Sequence, residues 1–265
     1  MDFKGFIVAL VVFLIALAWF GNRSIYFPMK YPEGDWELAA GSRVSDVWME
    51  TADKVRLHGW YAATRPGRVV LFLHGNAGNV THRMDKIERL TAAGMSVLVL
   101  DWRGYGRSEG RPTESGLRKD ARAAYEHLRR GGFDERQILL YGESLGTTVA
   151  TLLASEVPCA ALVLEAPFPN VQSVAGKVLP VLGPLLVRGY DAGSVIGSIT
   201  APKLFLHGDR DEVIDLELGR RLFAAAAEPK EFWLVRGAGH NDIAEVAGEE
   251  YTRKMREFGA RVWGQ

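Results

Sequence analysis

The serine in Gly142-Glu143-Ser144-Leu145-Gly146 is the residue of this chain best placed for chemistry. A serine hydroxyl is a weak nucleophile at neutral pH. It needs a base to take its proton, and the base needs a carboxylate to fix its tautomer and stabilise the imidazolium. Residues 137–141 before the serine read as an apolar strand, and residues 147–155 after it are small and apolar at helical spacing. Strand, tight turn and helix is the setting in which a G-x-S-x-G serine stands exposed at the end of a sheet. Such a turn is strained, and glycines at 142 and 146 let strand and helix approach without a Cβ between them. The helix would aim its N-terminal amides at the place where negative charge develops. In a chain with 29 glycines the motif alone is weak, so its partners decide.

In this architecture the acid follows the serine along the chain and the histidine comes last, both on loops at strand ends. Of the six histidines, only His240 lies beyond the last expected strand, in a loop over residues 236–242. The penultimate strand runs into Gly208-Asp209-Arg210-Asp211-Glu212-Val213-Ile214, which places Asp209, Asp211, Glu212 and Asp215 within reach. Asp211 is preferred, because its spacing before an apolar pair turns it inward. Asp209 is second and suits the turn itself, while Asp215 suits the N-cap of the next helix. The oxyanion would be held by the backbone amides of Leu145 and of Asn76, the latter in the glycine-rich loop over residues 74–79. His74 is expected to brace that loop.

The segment over residues 101–110 contains a G-x-G, but it opens no helix and no G-K-[ST] follows, which argues against a nucleotide. Asp101 and Arg103 are expected to tie loops together as an ion pair. No His, Cys and carboxylate cluster has zinc spacing, and the chemistry needs no cofactor.

The elements that must position these residues alternate. Residues 44–50 and 55–63 read as an edge hairpin turning at 52–54. Strands follow at 68–73, 96–100, 137–141, 161–164, 203–207 and 231–235, with helices at 80–93, 114–130, 147–155, 216–226 and 243–258. That alternation predicts an α/β domain over residues 44–265, a mostly parallel sheet with helices on both faces. Residues 167–202 break the pattern with a helix-like run over 170–188, interrupted by Pro180 and Pro184. Its apolar face (Val171, Val174, Val178, Leu179, Val181, Leu182, Leu185, Leu186) fits either ordinary packing helices or a short helical cap lining an acyl pocket.

Residues 5–20 carry no charge. As a helix they would reach about 24 Å, slightly short of a ~30 Å hydrocarbon core. Trp19, Phe20, Arg23, Tyr26 and Lys30 resemble an interfacial belt, which favours an uncleaved single-pass anchor over residues 1–21 and a linker over 22–43. Ala16-Leu17-Ala18 also resembles a signal cleavage site, the alternative that would place the domain in a periplasmic or extracellular space. The side of the membrane and the oligomeric state stay open. With 32 basic and 32 acidic residues the chain lacks the surplus that nucleic-acid binding requires. The single cysteine, Cys159, allows no internal disulfide and reads as a buried structural thiol.

Taken together, Ile25-Tyr26-Phe27-Pro28, His74-Gly75-Asn76-Ala77-Gly78-Asn79, Asp101-Trp102-Arg103-Gly104-Tyr105-Gly106, Gly142-Glu143-Ser144-Leu145-Gly146, His207-Gly208-Asp209-Arg210-Asp211 and Gly239-His240 resemble the α/β-hydrolase-fold serine hydrolases. The resemblance is strongest to a small membrane-anchored branch that includes eukaryotic Ras depalmitoylases and bacterial relatives. It implies Ser144, Asp211 and His240 as the triad, and hydrolysis of a small or lipid-like carboxylic ester or thioester through an acyl-enzyme. The cysteine-rich N-terminus of the eukaryotic depalmitoylases is missing. A peptidase or amidase with the same triad, or a non-catalytic membrane-anchored binding protein, are the competing readings.

Overall fold

The computed structural model describes residues 21, 24–39, 44–64 and 67–264. The apolar stretch over residues 5–20 lies outside them. Among the described residues no helix is long and apolar enough to cross a membrane.

The strands are β1 (Phe27–Pro28), β2 (Val44–Glu50), β3 (Arg56–Ala62), β4 (Val69–Leu73), β5 (Ala77–Gly78), β6 (Ser96–Leu100), β7 (Ile138–Glu143), β8 (Ala161–Glu165), β9 (Lys203–Gly208) and β10 (Lys230–Val235). Eight of them form one sheet in the order β10-β9-β8-β7-β4-β6-β3-β2. The hairpin β2–β3 is antiparallel and joins β6 antiparallel, whereas β4 and β6 through β10 are parallel to one another. The short β1 pairs with β5, which lays the N-terminal segment along the loop after β4.

The α-helices of the described residues are α1 (Met84–Ala92), α2 (Glu114–Arg130), α3 (Leu145–Ala154), α4 (Val171–Val178), α5 (Gly183–Leu186), α6 (Leu216–Ala225), α7 (Ile243–Ala247) and α8 (Glu249–Trp263). The central strands β4, β6, β7, β8 and β9 are buried at nearly every position because both faces are covered. Val70, Phe72, Val99 and Tyr141 pack with α1 and α8, while Leu71, Leu73, Leu140 and Phe205 pack with α2, α3 and α6.

Three expectations are revised. The last helix is not continuous, because Gly248 adopts φ 56° and divides it into α7 and α8. The helix after the serine begins at Leu145, directly from the turn. The apolar residues of 170–188 do not form one buried face: Val171 is buried, but Val178, Val181 and Leu185 are 80%, 78% and 60% exposed.

Candidate active site

The residues singled out in the sequence lie at the C-terminal ends of parallel strands, where α/β sheets present their ligand-binding loops. Ser144 is the single residue between β7 and α3. Its backbone sits at φ 51° and ψ −119°, a conformation that costs a non-glycine residue of order 1–3 kcal/mol. Its amide donates to the Glu165 carbonyl at 2.8 Å, and its carbonyl accepts from the Thr147 amide at 2.9 Å and the Thr147 hydroxyl at 2.6 Å. A Cβ at Gly142 would stand 2.5 Å from the Thr147 Cα, and one at Gly146 would overlap the Leu73 carbonyl. Both glycines are therefore required by close backbone contact.

His240 follows β10 and places Nε2 3.0 Å from Ser144 Oγ. Its Nδ1 lies 2.8 Å from Asp211 Oδ2. A carboxylate can only accept, so Nδ1 carries the proton and Nε2 faces the hydroxyl as an acceptor. Asp211 is itself fixed, because Oδ1 accepts from the amides of Val213 at 2.9 Å and Ile214 at 2.7 Å. Burial would raise this carboxyl, but hydrogen bonds from His207, His240 and the Ile214 amide outweigh it and hold the group well below the usual carboxylate range.

Asp209, the second choice for the acid, instead accepts from the Gly237 amide at 2.6 Å and braces the histidine loop. Asp242 does the same from within the loop, accepting from the Gly239 amide at 2.6 Å. Asp215 caps α6 through the Glu217 amide.

The loop after β4 touches the turn, since a Cβ at Gly75 would lie 3.4 Å from the Ser144 Cβ. Asn76 is pinned by its carbonyl, which accepts from the Phe27 amide and the Tyr105 hydroxyl, and by its side chain, which donates to the Ile25 carbonyl. Leu145 occupies the first position of α3, where a backbone amide has no partner within the helix.

His74 braces this loop from below. Its Nδ1 donates to the Gly75 carbonyl at 2.8 Å, and burial, then the charge of Arg83, lower its pKa to about 4. A histidine that is neutral when folded but titrates near 6.5 when unfolded makes stability rise with pH between about 4 and 6.5. Acidification from pH 7 to 4 is therefore expected to cost about 3 kcal/mol through this residue. Urea unfolding of His74→Leu at the two pH values should show that difference reduced by the same amount; an unchanged difference would exclude a buried neutral imidazole.

One cluster beside the serine was not anticipated. Lys86, on the inward face of α1, bonds Glu143 and Glu165 at 2.5 Å each. Glu165 also accepts from the Tyr141 hydroxyl, which meets the Tyr251 hydroxyl at 2.6 Å. Burial alone would raise Glu143, yet Arg83 and Lys86 hold it well below its ordinary value. A lysine within the apolar stripe of α1 and a glutamate closing a buried strand were the available signals, but their meeting depends on tertiary contacts.

The expected Asp101–Arg103 pair does not form. Asp101 accepts from the Val80 amide and meets His58 Nδ1 at 2.8 Å, whereas Arg103 pairs with Asp53 and Asp120. Each finds other partners, so the loops are still tied. Cys159 is half-buried, and burial pushes its thiol up to about 12, which makes it a poor nucleophile.

Residues 64–195 match a family model described as serine aminopeptidase, S33. The chain is 41% identical to the uncharacterized protein Rv2307c of Mycobacterium tuberculosis over 95% of its own length and 92% of that protein. It is 32% identical to the alpha/beta hydrolase domain-containing protein WAV2 of Arabidopsis thaliana, over 97% of this chain and 92% of that one. The chain belongs to the alpha/beta hydrolase family. The alpha/beta hydrolase fold also aligns with an esterase of Pyrococcus furiosus at a TM-score of 0.77 and 23% identity, covering 89% of this chain and 98% of the esterase. An alpha-beta hydrolase of Vibrio vulnificus aligns at a TM-score of 0.69 and 22% identity, over 83% of this chain and 82% of that one.

Proposed function

We propose that this alpha/beta hydrolase is a serine hydrolase that cleaves carboxylic esters or thioesters through an acyl-enzyme. The observation that carries this reading is the continuous line from Asp211 through His240 to Ser144, at 2.8 and 3.0 Å. His240 Nε2 takes the proton of Ser144 as Oγ attacks the substrate carbonyl, and Asp211 stabilises the resulting imidazolium. The amides of Leu145 and Asn76 donate to the tetrahedral oxyanion. His240 then protonates the leaving alcohol or thiol, and water activated by the same imidazole releases the acid.

The matched model's description names an aminopeptidase, so an amide substrate is the second reading. Resemblance to depalmitoylases makes long-chain thioesters the first class to test. We read residues 5–20 as an uncleaved anchor, because Trp19, Phe20, Arg23, Tyr26 and Lys30 supply the aromatic and basic residues of an interfacial belt.

A fluorophosphonate probe on the purified full chain tests the mechanism. Labelling of the wild type is expected, and its loss in both Ser144→Ala and His240→Ala. An unlabelled, folded wild type would overturn the reading. Comparing p-nitrophenyl esters with p-nitroanilides of the same acids then separates esterase from amidase.

A further inference from the structure

We infer that the exposed apolar surface of α4 and α5 lies in a lipid bilayer, so that the mouth of the site faces the membrane. Residues 178–187 form a run of ten without charge, bracketed by Lys177 and Arg188. A segment of this kind ordinarily packs into a core. Here Val178, Val181, Leu182 and Leu185 point to solvent.

Two observations argue for lipid as their cover. The first is where the undescribed chain enters. The uncharged stretch over residues 5–20 leads into Gly21, whose backbone lies directly on α5, because a Cβ there would overlap the Leu186 carbonyl. The residue that follows the apolar segment in the chain therefore sits on the apolar patch. The segment has no polar face, so even laid as a helix along the patch it would leave its other sides bare. A bilayer covers both at once. The patch would sit about 5–10 Å into the headgroup boundary, the depth typical of interfacial apolar faces.

The second observation is the patch's position relative to Ser144. Lys177 pairs with Asp215 at 2.6 Å, which ties α4 to the segment that carries Asp211. On the other side, Asn76 holds the Ile25 carbonyl four residues beyond Gly21, and the Tyr26 hydroxyl meets that of Tyr190 at 2.7 Å. Phe27, whose amide donates to the Asn76 carbonyl, and Val213, whose amide donates to Asp211, are also exposed, so apolar side chains stand beside both of these loops. Substrates with long acyl chains would reach the serine from the bilayer without passing through water.

The test needs no turnover, so its result is independent of the esterase reading. In the full chain carrying Cys159→Ala, Val181→Cys and Leu185→Cys are each labelled with bimane. Arg136→Cys, at the opposite end of the sheet, is the control. The proteins are reconstituted into vesicles of phosphatidylcholine and phosphatidylglycerol. Nitroxide-bearing lipids are expected to quench positions 181 and 185 several-fold more than 136, while aqueous iodide quenches only 136. Iodide reaching all three labels would overturn the inference. So would protection of 181 and 185 from both quenchers, which would mean that residues 5–20 or a second copy cover the patch, and so would failure of the chain to enter vesicles.

Discussion

Ser144→Ala is expected to lower kcat on a p-nitrophenyl ester by about 10⁶-fold, and His240→Ala by a similar amount, because the two groups act as one unit. The double variant should therefore be no slower than either single one, and this non-additivity is the sharper test. Two independent losses that multiply would mean that the 3.0 Å contact between Oγ and Nε2 is not the reacting pair. Stability should move differently. Alanine keeps a Cβ at φ 51°, so the strain at the turn persists and the urea midpoint stays close to wild type. Ser144→Gly removes the Cβ as well and is expected to gain about 1 kcal/mol while being just as inactive. A glycine variant less stable than the alanine variant would show that the turn is not strained in the native protein.

Much of this geometry was legible in the sequence because it depends on short-range chemistry and chain order. Gly142 and Gly146 mark where backbone crosses backbone, the run of strands and helices fixes which loops share one end of the sheet, and His240 is the one histidine after the final strand. Asp211 and Asp209 could not be separated with the same force, since both occupy one short loop. Their difference rests on which carboxylate the Val213 and Ile214 amides turn inward. Contacts between distant segments were not legible. Arg103 finds Asp53 and Asp120 rather than Asp101 because the β2–β3 turn and α2 converge on it, and no local pattern reports such convergence. The exposure of residues 178–185 is a related case, because an apolar pattern indicates what avoids water and not what covers it.

The Lys86 cluster is the long-range feature with the largest expected consequence. Lys86→Met should destabilise the fold by about 3–5 kcal/mol at neutral pH, since it leaves Glu143 and Glu165 buried without their shared cation. Against a total stability of roughly 5–15 kcal/mol, that is a large fraction. The pH dependence identifies the cause. In the wild type, Glu143 titrates below its ordinary value, so its contribution is present at neutral pH and is lost only in strong acid. Without Lys86 the buried Glu143 carboxyl titrates higher, so the variant is more stable with it protonated and loses stability as the pH rises. The deficit of Lys86→Met should therefore shrink between pH 7 and 5, and adding Glu143→Gln and Glu165→Gln should recover much of it. A deficit independent of pH would point to lost packing by the lysine stem instead. Catalysis should suffer through position, because Ser144 follows Glu143 directly and its amide donates to the Glu165 carbonyl. A displacement of about 1 Å at the nucleophile costs on the order of 10²-fold in rate, so kcat should fall while KM changes little. Equal losses in kcat and gains in KM would instead place Lys86 in substrate binding, a role its buried position between two carboxylates argues against.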